Sequence, residues 1–391
     1  MSTTSTIKEL LTRNIRESGI VVAFIAIVVL FSVLTDGTML TPRNLTNIVL
    51  QYSYILVLAI GMVMVIIGGH IDLSVGSIAA VTGATAAVIV IQNGQPWWLG
   101  VLAAIFVGIL AGAWQGAWVA FAGIPAFIVT LAGLLLFRGM TLRVLDNISL
   151  SPFPGAYQKI GTGFQNGLLG GPGYDVFTLV VFGIGVAAYA WSQLRARQSA
   201  QSYNQDVAPM AAFIAKLVAI GAAVMWFGWQ LANDRGLPNV LIILGALVII
   251  YSLVMRRTVF GRNVYAIGGN LKAAELSGVK TKWVTFGLML NMGLLSGVAG
   301  VLYSSRTNGA QPSAGALFEL DAIAAAFIGG AAVTGGVGKV TGAIVGGLIM
   351  AAMSNGMQLM GIDQSTQQIV KGIVLLLAVG FDVWNKKPSG N

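Results

Sequence analysis

Cysteine is missing from all 391 residues, and histidine occurs once, at His70. The first absence excludes disulfides, thiolate nucleophiles and cysteine metal sites. The second leaves no material for a multi-histidine metal centre. Charge is scarce as well: Lys, Arg, Asp and Glu make up 9% of the chain, where a soluble domain carries roughly 25%. A catalytic nucleophile and base at buried positions need those residue types, so an intramembrane enzyme finds nothing to build on here.

What remains is apolar. Hydrophobic residues are 56% of the chain and the mean hydropathy is +0.83, which places its bulk in lipid. Hydrocarbon offers no partner to a free amide or carbonyl, so spanning segments are helices or closed barrels. Runs near 20 residues without period-2 alternation select helices. The fold class read from the sequence is therefore all-α and polytopic. Twelve crossings are expected, at 19–35, 48–67, 76–92, 97–122, 126–145, 174–194, 211–231, 237–255, 283–304, 318–334, 340–357 and 366–384. The first run lacks an A-x-A cleavage pattern and is read as a retained helix.

The net charge of +9 is distributed between the apolar runs, so it reads as topology and not as nucleic-acid binding. With the N-terminus inside, fifteen Lys and Arg fall in inner segments and six in outer ones. Tails 1–18 and 386–391 and loop 256–282 are then cytoplasmic, loop 146–173 is outside, and 19–385 forms a single transmembrane domain. Gly108, Gly112 and Gly116 share one helix face, as do Gly342 and Gly346; small residues at this spacing let helices pack closely.

A faint internal repeat is present. IAAVTG at 78–83 matches GAAVTG at 330–335, with Asp72 and Asp321 ahead of them. The 123–136 run likewise matches 361–377. Opposite directions for the paired helices make this an inverted repeat, with a transport path at the repeat interface. GGHIDLSVGS breaks an apolar run, and Gly68, Gly69, Asp72, Ser74 and Gly76 are read as a gate or hinge. Asp72 and Ser74 are suitable N-caps for the next helix. Glu319, Asp321 and Lys371 sit near helix ends, where capping or snorkelling explains them. The stretch VTGGVGKVTGA at 333–343 fails the phosphate-loop pattern, because Lys339 is followed by Val340.

Loop 256–282 is far longer than a connection needs. Gly268-Gly269-Asn270 reads as a turn, Leu271–Ser277 as two helical turns and Gly278 as their stop, with Leu271, Ala274 and Gly278 on one face. The loop is the one obvious grip for a soluble partner.

At this loop the sequence resembles a known family. FGRNVYAIGGNLKAAELSGV is similar to the coupling segment of permease subunits of bacterial ABC monosaccharide importers, the ribose, arabinose, galactose and xylose group. GGHIDLSVGS, GAWQGAWVAFAGIPAFIVTLAGLLLFRG, QPSAGALFELDAIAAAFIGGAAVTGGVGKVTGA and SNGMQLMGIDQSTQQIVKGIVLLLAV extend the likeness across most of the chain. Two further crossings, at 174–194 and 211–231, resemble the xylose branch. The resemblance implies a second copy of the permease, a cytoplasmic ATPase that holds ATP and Mg, and a periplasmic sugar-binding protein. It implies no cofactor in this chain and a bacterial inner-membrane location. Arg262, Asn270, Lys272, Ala273, Ala274, Glu275 and Gly278 become the ATPase-coupling residues, with Ala273 and Ala274 in a groove on the partner. Gln51, Tyr52, Asn291 and Asn355 are the candidates for the sugar path. The competing reading is an ion-coupled secondary sugar transporter, which needs carboxylates within the spans; Asp72 and His70 are the available groups, both read as near an edge.

Overall fold

The computed structural model describes residues 15–385. Tail residues 1–14 and 386–391, with their expected cytoplasmic placement, lie outside the described residues. In chain order the helices are α1 (Ile15–Leu34), α2 (Pro42–Ile67), α3 (Val75–Ala87, continued by a π-turn over Val88–Gln92), α4 (Trp97–Ala120), α5 (Ala126–Val144) and α6 (Gly155–Thr162). Then come α7 (Val176–Ser202), α8 (Met210–Ala232), α9 (Asn239–Arg257), α10 (Val259–Gly269), α11 (Leu271–Leu276) and α12 (Thr281–Thr307). The last are α13 (Phe318–Ile328), α14 (Val340–Leu359) and α15 (Gln364–Asn385). Strands β1 (Phe164–Gln165) and β2 (Leu237–Pro238) pair antiparallel, Phe164 opposite Pro238.

Among the described residues, nine helices are long and apolar enough to cross a membrane: α2, α3 with its π-turn, α4, α5, α7, α8, α9, α12 and α14. Gly19–Leu34 adds a shorter apolar helix. The expected crossing at 318–334 takes a different form. Its helix α13 has 11 residues, and at 1.5 Å per residue it spans about half of a hydrocarbon core of about 30 Å. The GAAVTG segment at 330–335 that matched 78–83 is a turn, whereas 78–83 is helix.

The chain divides into two compact units. One holds Leu40–Asn47 and Phe164–Asn239. Its body is the α7–α8 pair, the two additional crossings. Asp175 caps α7, accepting from the Thr178 amide at 2.9 Å and its hydroxyl at 2.6 Å. Gly228 of α8 lies against the Phe182 ring of α7.

The second unit holds Arg16–Met39, Ile48–Gly163 and the described chain from Val240 onward. Two helix sequences of the same order occur in it. A long helix (α2, 26 residues; α12, 27 residues) is followed by a break, a helix, and two more long helices. Tyr54 meets Tyr303 at 5.1 Å between ring centroids, and Gly61 and Gly68 lie against Met292 and Leu288, so α2 and α12 run antiparallel. An inverted repeat has this pattern. The glycine stripes pack helices as expected: Gly108 and Gly112 meet Gly293 and Gly297 of α12, while Gly342 and Gly346 meet Gly329 and Ala325. Loop 146–173 is more ordered than its turn-rich sequence indicates. Its α6 buries Tyr157, stacked on Phe153 at 4.0 Å and hydrogen-bonded through its hydroxyl to Ser304 at 2.7 Å.

Candidate functional site

The first break follows Ile67, where α2 ends, and Gly69 takes a positive φ of 82°. Asp72 then lies fully buried. Its Oδ1 accepts from the Ser74 amide at 2.8 Å and from the Ser74 hydroxyl at 2.6 Å. Gln115 of α4 donates to that hydroxyl at 2.5 Å. Ser74 occupies the N-cap position of α3, yet its side chain makes no capping bond. Its hydroxyl is turned to Asp72, so Asp72 and Ser74 form a polar knot and do not cap α3 as expected. Such a buried chain holds its members rigidly, because leaving any one unpaired costs about 1–3 kcal/mol.

The second break, between α12 and α13, approaches the first directly. A Cβ on Gly76 would overlap the Gly315 carbonyl oxygen and crowd the Glu319 carboxylate, so only glycine permits this contact. Arg138 of α5 donates to the Ala314 carbonyl at 2.6 Å and the Pro312 carbonyl at 3.3 Å. Asp72 and Ser74 thus meet Gln115, and Gly76 meets the Gly315 turn that Arg138 holds, while Gly68 and Gly69 lie against Leu288 and Gly268. The five hinge residues carried a sequence signal; Gln115, Arg138 and Gly315 did not.

Loop 256–282 holds two helices, α10 and α11. Asn270 caps α11 by accepting from the Ala273 amide at 3.0 Å, and Gly278 follows it with φ of 82°. The expected turn-and-helix is therefore present, but its facing differs. Ala274 is 4% exposed and points into its own chain; a residue so placed cannot fill a groove on a partner. Arg262, Lys272, Ala273 and Glu275 are exposed, and Glu275 accepts from the Thr281 hydroxyl at 3.2 Å. The outward apolar side chains are Leu271 and Leu276, 50% and 91% exposed.

At its other end this segment reaches the first break and the turn after α13. A Cβ on Gly268 would collide with the Ile67 carbonyl oxygen and crowd the Gly336 amide. That amide donates to the same Ile67 oxygen at 2.8 Å. Tyr265 of α10 donates its hydroxyl to the Gly338 carbonyl at 2.8 Å. A cavity of about 740 Å³ opens beside this junction, with Gly68, Gly69, His70, Asn270 and Glu275 in its wall. Tyr265, Gly335 and Gly336 were not singled out from the sequence.

A second cavity, of about 770 Å³, is lined by α2, α13, α14, α15 and the end of α12. Gln51 and Tyr52 line it; Asn291 and Asn355 are not among its lining. Asn291 instead accepts from Tyr251 at 2.5 Å, and Asn355 is buried within α14. Asp321 and Lys371, read from sequence as capping or snorkelling groups, form an ion pair at 3.0 and 3.2 Å in this wall. Hydroxyls of Ser365 and Thr366 surround Asp363 just ahead of α15 and hold its carboxyl below the ordinary range.

Residues 44–379 match the family described as branched-chain amino acid transport system / permease component. The chain is 38% identical to the xylose transport system permease protein XylH of Escherichia coli K12, covering 96% of this chain and 94% of that protein. It is 40% identical to XylH of Haemophilus influenzae Rd, covering 96% and 98%. Identity to the ribose import permease protein RbsC of Escherichia coli K12 is 32%, covering 95% and 94%. No solved structure matches. Broken helices in two antiparallel halves, nine apolar spans and this agreement along nearly the whole length fit together: the chain is a multi-pass membrane protein of that permease-component family.

Proposed function

We propose that this protein is the membrane-spanning subunit of an ATP-driven importer for a pentose, D-xylose, in a bacterial inner membrane. The observation that carries the reading is the seat of the inner segment. It presents Leu271 and Leu276 outward while Gly268 lies against the end of α2 and Tyr265 bonds the turn after α13. A cytoplasmic ATPase gripping α11 would pull on the end of α2 and on the turn after α13 together. Rigid helices move as bodies around such breaks, so one motion would reset both halves of the repeat. ATP and Mg belong to that partner. A periplasmic sugar-binding protein delivers substrate at 146–173, a second copy completes the path, and both termini are cytoplasmic.

Xylose is favoured by the two relatives whose printed names specify it and by the α7–α8 pair expected of that branch. Because the chain has no cysteine, the orientation can be tested by single substitutions at exposed sites. An impermeant thiol reagent on intact cells should label Leu168→Cys and leave Leu276→Cys untouched. Labelling of Leu276→Cys from outside contradicts the placement of the partner.

A further inference from the structure

The cavity of about 770 Å³ falls within the roughly 300–1,000 Å³ range of ligand sites, and its wall has a distinct chemistry. On α15, Gln364, Gln367, Gln368 and Lys371 all line it. Their spacing of i, i+3, i+4 and i+7 is one helix face. Ile369, Ile373, Leu376 and Leu377 of the same helix are exposed, so the polar face is turned into the cavity and the apolar residues elsewhere. Gln51 of α2 and Gln358 of α14 add two more amides. Tyr54 and Phe318, 4.6 Å apart between centroids and tilted by 39°, supply ring surface.

We propose that this cavity is a contact site for a neutral polyhydroxyl ligand, a monosaccharide, with the amides bonding its hydroxyls and the Asp321–Lys371 pair fixing its orientation. The proposal rests on the sugar-permease reading and names the surface that reading requires. A primary amide both donates and accepts, as does a sugar hydroxyl, so five amides match a ring of hydroxyls without a net charge. The Asp321 carboxylate can accept from hydroxyls while remaining bonded to Lys371. A zwitterionic amino acid is a poorer match, because the one carboxylate that could hold its ammonium is already paired. An anion finds Arg306 as its cation not engaged in that pair.

The test uses the complete transporter in cells, with Gln367→Cys and Gln368→Cys in the cysteine-free chain. A hydrophilic methanethiosulfonate should modify both and cut D-xylose uptake by roughly ten-fold or more, as loss of several hydrogen-bonding groups requires. Excess D-xylose should slow the modification, while leucine and D-glucuronate should not. Ile369→Cys, on the other face of α15, should keep its uptake under the same reagent. Full modification without loss of uptake overturns the proposal, and so does protection by leucine or glucuronate but not by xylose. Xylose uptake by the unmodified variants is the separate check: if it is present and depends on ATP, a failure belongs to the cavity alone, and if it is absent in the unsubstituted transporter, the sugar-permease reading fails instead.

Discussion

The Gly336 amide donates to the Ile67 carbonyl at 2.8 Å. One hydrogen bond thereby joins the turn after α13 to the last residue of α2, two points 269 residues apart in sequence. Gly268 lies against the same carbonyl with no room for a side chain. The 256–282 segment, the first break and the turn after α13 meet there, and the Tyr265 hydroxyl bonds the Gly338 carbonyl beside them.

Gly268→Ala should therefore impair transport more than its size indicates. The added methyl must displace backbone, and overpacking of this kind costs about 1–3 kcal/mol. Uptake should fall while the amount of protein in the membrane stays normal, which quantitative blotting beside a sugar-uptake assay would show. Unchanged uptake would mean that the junction opens freely.

The two faces of α11 should separate in a mutational comparison. Leu276→Arg should abolish co-purification of the ATPase and leave the thermal midpoint of the permease unchanged. Ala274→Arg should do the reverse first: a guanidinium forced into the interior without a partner costs on the order of 3–5 kcal/mol, and the midpoint should drop. Lys272→Ala, at a solvated position, should change either quantity by roughly 0–1 kcal/mol.

The sequence shows the crossings because hydropathy reports transfer to lipid, and α2 to α5 and α7 to α9 follow it. It hides the turn after α13 for the same reason. Ala331 and Ala332 are buried in a turn at 1% and 0% exposure, and irregular backbone survives at such depth only where protein encloses it. An apolar turn wrapped by protein has the composition of an apolar helix, so 318–334 reads as one crossing. Facing is lost likewise. Gln51 and Asn291 are each a lone amide in an apolar run, yet one lines the outer cavity and the other answers Tyr251. The α15 glutamines stand at i, i+3 and i+4 but were not singled out from the sequence, because their partner face on α2 and α14 exists only after folding.

Ser74→Ala should expose how much the polar knot holds. It removes the hydroxyl shared by Asp72 and Gln115 and leaves both buried groups short of a partner, a cost of about 1–3 kcal/mol. A lowered midpoint in detergent is expected. An unchanged midpoint would show that the knot contributes nothing to stability.

Gly112→Val tests the α4–α12 crossing, where a Cβ would meet the Met289 carbonyl and the Gly293 backbone. Helices that pack through glycine must separate to admit a branched side chain, at a cost of about 1–3 kcal/mol. Yield of folded protein should fall, whereas Gly139→Val, a glycine with open space around it, should leave yield unchanged.

The central claim is that a partner's ATP cycle, delivered through α10 and α11, moves the sugar. Proteoliposomes holding the permease, its ATPase and its sugar-binding protein measure this directly. D-Xylose should accumulate only when ATP is present on the ATPase side, and Leu276→Arg should stop accumulation at any ATP level. Accumulation without ATP that collapses when a proton or sodium gradient is dissipated would contradict the account.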